Sequence, residues 1–178
     1  MPDMDPAPRS TSRRLPLIGA LCALVLLAGI VESPLFSFYR VAGSSMLPSF
    51  QDGDRVLVTS VPSVAGGIRP GDVVIAEVQH EVLIKRVVGV PGDVLSLEDG
   101  IVYRNGTPDD PEAKSDLRDH ATCASRTLAP DEYFVLGDNR SVSIDSRVFG
   151  PLHADMILAK VLYRFDGGRG VAATAAEK

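Results

Sequence analysis

The chain has 178 residues, 45% of them hydrophobic, and a formal net charge of −5. That size suffices for one moderate domain plus a membrane anchor, and the acidic balance argues against the clustered basic face of a nucleic-acid-binding surface. His80, His120 and His153 share no ligand spacing and the two cysteines form no cluster, so no metal or cofactor site is expected.

Arg9, Arg13 and Arg14 precede an apolar run from Leu15 to Val31. A run of roughly 17 residues is at the short end of what spans a hydrocarbon core. The pattern predicts a cytoplasmic basic stretch at 1–14, a transmembrane anchor at 15–31, and everything after Glu32 outside. A cleavable secretory signal also begins basic and turns apolar. Against it, Glu32, Ser33, Pro34, Leu35 and Phe36 follow in place of a prompt small-x-small cleavage site. Cys22 within the run and Cys123 far beyond it are then expected on different sides of a membrane boundary, which argues against a disulfide between them. Phe36, Phe38 and Tyr39 are expected at the headgroup level, where aromatic rings settle. The stretch of about 14 residues from Val31 to Ser45 reaches at most roughly 45 Å, which keeps Ser45 near the membrane.

Residues 32–166 are expected to form a β-rich domain. Arg55 to Thr59, Asp72 to Val78 and Val82 to Val90 are β-branched runs bounded by Gly and Pro. Val94 to Leu97, Asp99-Gly100 and Ile101 to Arg104 predict a hairpin, and Asn105-Gly106 a second turn. The polar stretch 107–130 shows little periodicity and is expected as a surface insertion. Tyr133 to Leu136 and Met156 to Phe165 resume the core, and 167–178 is expected to fray. The fold class is mostly β, with antiparallel sheets in a partly barrel-like domain carried on one N-terminal transmembrane helix.

Three segments hold candidate chemistry. Lys85 sits in Leu83-Ile84-Lys85-Arg86-Val87, where strand alternation places Leu83, Lys85 and Val87 on one face. A lysine in that company is either an edge-strand gatekeeper snorkelling to solvent or an amine kept dry enough to act as a base. Ser45 sits in Gly43-Ser44-Ser45-Met46-Leu47-Pro48, either ordinary turn chemistry or a nucleophile exposed on a tight turn, its amide aimed at an oxyanion. Leu136 to Arg147 is either a solvated polar loop or a network of charge-assisted bonds.

The sequence resembles the type I signal peptidases, membrane-anchored serine–lysine proteases. Four motifs match in order: Gly43-x-Ser45-Met46-x-Pro48, Arg69-Pro70-Gly71-Asp72-Val73-Val74, Lys85-Arg86-Val87-Val88-Gly89-x-Pro91-Gly92-Asp93, and Gly137-Asp138-Asn139-Arg140-x-x-Ser143-x-Asp145-Ser146-Arg147. The resemblance implies a signal-peptidase/LexA-type domain with Ser45 as nucleophile and Lys85 as general base. It implies that Ser143 bonds and orients the Lys85 amine, and that Asp138, Asp145, Arg86 and Arg147 form a salt-bridged frame. Gly43, Met46 and Ile84 are similar to residues that bind substrate, in shallow pockets for small side chains. The implied substrates are signal peptides of exported precursors, cut after Ala-x-Ala-like ends by a monomer at the outer face of the cell membrane. Membrane lipid is the other implied partner, with no nucleic acid and no cofactor. Gly43 stands where some members have a serine that helps bind the oxyanion, which leaves a second donor unassigned. Ser141 and Val142 replace a common Asp-Asn pair. Alternatives are a relative specialised for pilins or conjugation proteins, and a non-catalytic membrane-tethered β-domain that binds exported peptides. A LexA-type repressor would need a helix-turn-helix where this chain has an apolar span.

Overall fold

The structure is a computed structural model that describes residues 35–60, 67–110 and 123–165. The predicted N-terminal stretch, the anchor, residues 111–122 of the predicted insertion, residue 166 and the predicted tail 167–178 lie outside them. Among the described residues no helix is long and apolar enough to cross a membrane. The chain divides into two compact units, Met1–Phe36 and Ser37–Lys178. Leu35 and Phe36 are the described residues of the first; the second holds every candidate site residue.

The strands are β1 (Phe36–Arg40), β2 (Arg55–Thr59), β3 (Val73–Val78), β4 (Glu81–Gly89), β5 (Val94–Glu98), β6 (Ile101–Arg104), β7 (Thr107–Pro108), β8 (Cys123–Thr127), β9 (Glu132–Leu136), β10 (Leu152–His153) and β11 (Ile157–Phe165). A four-residue helix, α1 (Ser146–Phe149), comes after β9. Seven strands form one sheet in the order β1-β2-β11-β3-β4-β9-β10, and four form a second, β7-β6-β5-β8. The ladders β2–β11, β3–β11, β3–β4, β4–β9, β5–β6 and β5–β8 are all antiparallel, as the short β-branched runs predict.

Local chemistry sets the turns. Glu98 pairs with Ile101 across Asp99-Gly100, and Arg104 with Thr107 across Asn105-Gly106. All four turn residues have positive φ, the geometry whose twist matches a two-residue hairpin. Gln79 and His80, between β3 and β4, adopt the same left-handed region without a glycine.

Alternation along β3 divides the core. Val73 and Ile75 join Met46, Phe50, Val56 and Ile84 on one face, while Val74 and Ala76 join Val87, Val135 and Leu152 on the other. A third cluster, with Leu95, Leu97 and Val102 against Val88 and Leu136, ties the small sheet to the large one. The predicted insertion therefore supplies two paired strands at its ends, β7 and β8. Its β8, Cys-Ala-Ser-Arg-Thr, is an edge strand with no apolar alternation, so nothing in its pattern announces it.

Candidate active site

Ser45 sits on a turn after β1 that the core holds from beneath. Val41 donates its amide to the Asp54 carbonyl at 2.8 Å and accepts from Gly53 at 2.9 Å. Met46 and Phe50 are buried, and the Phe50 amide bonds the Met46 carbonyl at 2.8 Å. With Met46 turned into the core, its neighbour Ser45 remains partly accessible.

Lys85 lies on β4, between β3 and β9. It is 3% exposed, so it is no edge-strand gatekeeper. Its Nζ is 2.9 Å from Ser45 Oγ. Burial pushes the amine below its ordinary value, because water no longer solvates the charge; Asp145 and then Asp138 pull the other way.

Both carboxylates are paired. Asp138 takes a forked pair of bonds from Arg86, Nε at 2.7 Å and Nη2 at 2.6 Å. This bond is the main reason the guanidinium is held above its ordinary value. The remaining arm of Arg86 reaches the Gly71 carbonyl at 2.7 Å, which gives the Arg-Pro-Gly-Asp motif a structural task. Asp145 is fully buried. It pairs with Arg147 through Nε at 2.8 Å and Nη2 at 2.9 Å and accepts the Gly137 amide at 3.0 Å. It also caps α1, accepting from the Arg147 amide. Geometry of this kind, with every lone pair directed, is what a buried ion pair needs to offset desolvation.

Two expected placements differ. Ser143 is wholly buried beside the site, yet its Oγ has no hydrogen-bond partner among the described residues, and the Lys85 amine is bonded to Ser45 instead. The structure does not contain the expected Ser143–Lys85 bond. Met46, expected along the substrate pocket, is a core residue beneath the turn. Gly43, with φ +85°, gives its amide to Asp52 Oδ1 at 2.9 Å, so that amide is already engaged.

The sequence reading missed the grip on the turn that carries Ser45. The Asn139 amide donates to the Ser45 carbonyl at 2.9 Å, and Asn139 Nδ2 to the Ser44 carbonyl at 3.1 Å. A Cβ on Gly137 would lie 2.2 Å from Ser143 Oγ and 2.6 Å from the Ser45 carbonyl oxygen. Glycine is required there by close approach. Both residues stand in the Gly-Asp-Asn-Arg motif, which was the available signal.

Ser45 and Lys85 open on a shallow groove of about 110 Å³, with Tyr39, Ala42, Val82 and Ile84 among its walls. Ile84 is among the residues that line this groove. Beside it, Glu81 to Arg86 of β4 pair with β3, whereas β9 pairs only with Arg86, Val87 and Gly89. Among the described residues the second edge of β4 from Glu81 to Lys85 is therefore unpaired. Nor does any group of three or more His, Cys, Asp or Glu among them have the arrangement to hold a metal ion.

The family model described as signal peptidase, peptidase S26, matches residues 14–165. A signal peptidase IB of Staphylococcus aureus (strain COL) is 35% identical over 167 residues, covering 84% of this chain and 87% of its own. A signal peptidase I of Bacillus licheniformis is 33% identical over 153 residues, covering 78% and 82%. A crystal structure of a signal peptidase I from Enterococcus faecalis V583 aligns with TM-score 0.41 at 23% identity, covering 51% of this chain and 93% of that one. With the family's pattern spanning most of its length and relatives this similar over more than three quarters of it, the chain belongs to the signal peptidase family, peptidase S26, and is a serine endopeptidase of the type I signal peptidase kind.

Proposed function

We propose that this protein removes signal peptides from exported precursors after small residues, with Ser45 as nucleophile and Lys85 as general base. The observation that carries the reading is the 2.9 Å separation of Lys85 Nζ and Ser45 Oγ at a buried amine. A serine hydroxyl needs a base within such reach, and a lysine serves as one only where desolvation yields neutral amine.

The steps follow from these groups. Neutral Lys85 accepts the Ser45 proton as Oγ attacks the scissile carbonyl. Among the described residues no group accepts the Ser45 amide hydrogen, which leaves it free to bind the developing oxyanion. Lys85 then gives its proton to the departing amine of the mature protein. Water, deprotonated by the same amine, hydrolyses the acyl ester on Ser45.

The cleavage segment lies extended along the unpaired edge of β4, where main-chain bonds supply affinity irrespective of sequence. The small groove walled by Ile84 and Val82 selects the side chain before the cut. The finer placement belongs to the same reading: a single-pass anchor at 15–31 in the cell membrane, N-terminus cytoplasmic, and a protease domain that meets signal peptides and lipid outside.

The test is cleavage of a synthetic Ala-x-Ala precursor. Wild type cuts it, chelator has no effect, and Ser45→Ala and Lys85→Arg do not cut, because guanidinium stays protonated. Full cleavage by either variant sinks the assignment.

A further inference from the structure

Asp109 stands just past β7 in the small sheet, outside the four motifs that carry the family resemblance. Its amide is fixed by the Val102 carbonyl at 2.9 Å, and Val102 belongs to the core that ties the small sheet to the large one. From that base its carboxylate meets Arg140 Nη2 at 2.5 Å, with the two side chains only 21% and 12% exposed.

Arg140 is the neighbour of Asn139, the residue that holds the Ser44 and Ser45 carbonyls. The Arg140 carbonyl in turn accepts Arg147 Nη2 at 2.8 Å, and Arg147 is paired with the buried Asp145. Arg140 Nε is itself buried without a hydrogen-bond partner among the described residues. Asp109 is thus the carboxylate that compensates a largely desolvated guanidinium. Removing one partner of such a pair leaves an uncompensated charge that must move toward water. One peptide bond joins Arg140 to Asn139, so the clamp on Arg140 and the grip on the Ser45 turn share one stretch of backbone. Asp109 also lies close enough to Arg86, beside Lys85, for its charge to be felt there.

We propose that Asp109 is a positioning residue for peptide-bond cleavage: by clamping Arg140 it fixes Asn139 against the nucleophile turn, which makes the small sheet part of the working site. The inference rests on the reading of Ser45 as nucleophile. Its physical content is that the reacting oxygen must be held to a fraction of an ångström. A displacement of about 1 Å caused by a change away from the chemistry costs up to roughly a hundredfold in rate.

The test uses the full chain, the synthetic Ala-x-Ala precursor, and a serine-directed acylating probe. Asp109→Asn is expected to lower kcat about ten- to a hundredfold with KM within about twofold of wild type. The rate of probe labelling should fall in parallel; the melting temperature should fall too, because Arg140 is left uncompensated, so kcat is read on the folded fraction. Asp109→Glu, which keeps the charge, is expected to recover most of the rate. A purely structural part would lower the melting temperature and leave kcat of the folded fraction intact, and that result overturns the inference. So does turnover of Asp109→Asn at the wild-type rate. Should Asp109→Asn fail to fold, Arg140→Lys takes its place: it keeps a cation but loses the fork, the same loss is expected, and full-rate turnover overturns the inference. Ser45→Ala runs alongside. An active Ser45→Ala removes the reading of the site itself, whereas an inactive one beside a full-rate Asp109→Asn removes only the part given to Asp109.

Discussion

Lys85 Nζ lies 2.9 Å from Ser45 Oγ although 40 positions separate the two residues in the chain. One is buried on a strand paired with β3 and the other is on a turn anchored by Met46, so both are held in place. A pair held this way acts as a unit, and removing either member should cost about as much as removing both. Ser45→Ala, Lys85→Met and the double variant are each expected to lose at least about a thousandfold in kcat/KM. Losses that multiply in the double variant, measured on the same precursor, would count against a shared mechanism.

The buried amine makes both rate and stability depend on pH. Burial lowers the Lys85 pKa against the pull of Asp145 and Asp138, so kcat/KM should rise with pH as neutral amine accumulates, and the rise should track the lowered value. The stability sign comes from proton counts. Between the lowered native pKa and the ordinary 10.5, the unfolded chain binds a proton that the native chain does not, so stability rises with pH across that window. Below it, a buried charge persists at a cost. Lys85→Met should therefore be more stable than wild type at neutral pH, by a margin that shrinks as pH approaches 10.5. Urea unfolding across that range checks it; a constant or reversed margin refutes it.

Ser143 offers a separation of stability from activity. Its buried hydroxyl has no partner among the described residues in this state, and such a group costs about 1–3 kcal/mol. Ser143→Ala should leave unfolding free energy unchanged or raised. If the hydroxyl turns to the Lys85 ammonium once Ser45 has given up its proton, kcat should fall about tenfold or more. A variant as active as wild type would show the hydroxyl has no part in the reaction.

Gly137→Ala puts a methyl group against the Ser143 side chain and the Ser45 main chain. Overpacking typically costs about 1–3 kcal/mol, and a backbone oxygen yields less readily than a side chain, so the upper end is expected. Denaturant unfolding measures the loss. Activity should drop further than stability alone explains, because the displaced atom belongs to Ser45, the proposed nucleophile.

Ile84 is a wall of the groove and also part of the core. Ile84→Ala should cost about 2–5 kcal/mol in stability, yet enlarge the groove. The ratio of cleavage after Val to cleavage after Ala should increase in a panel of otherwise identical precursors. An unchanged ratio in the folded variant would move the selecting pocket elsewhere.

Much of the strand layout was readable from the chain. Arg55 to Thr59 and Ile101 to Arg104 form strands with the expected limits, and Asp99-Gly100 and Asn105-Gly106 turn where their chemistry says they should. β8 was not readable, because Ala124 to Thr127 are exposed and so carry no period. Among candidate site residues, Ser45, Lys85 and the two Arg–Asp pairs were legible through their motifs. The structure shows neither the Ser143–Lys85 bond nor Met46 along the groove, because motif spacing says which residues gather and not which way each side chain turns.

By itself the sequence determined most of the core strands, the two hairpin turns, and the set of groups that could perform serine–lysine chemistry, since these depend on periods of two and on neighbours a few positions apart. Only the tertiary structure decided which hydroxyl the amine touches, which glycine must lack a side chain, and that Asp109 of the small sheet reaches Arg140. Those outcomes depend on packing between segments tens of residues apart, where a shift of an ångström separates a hydrogen bond from a clash.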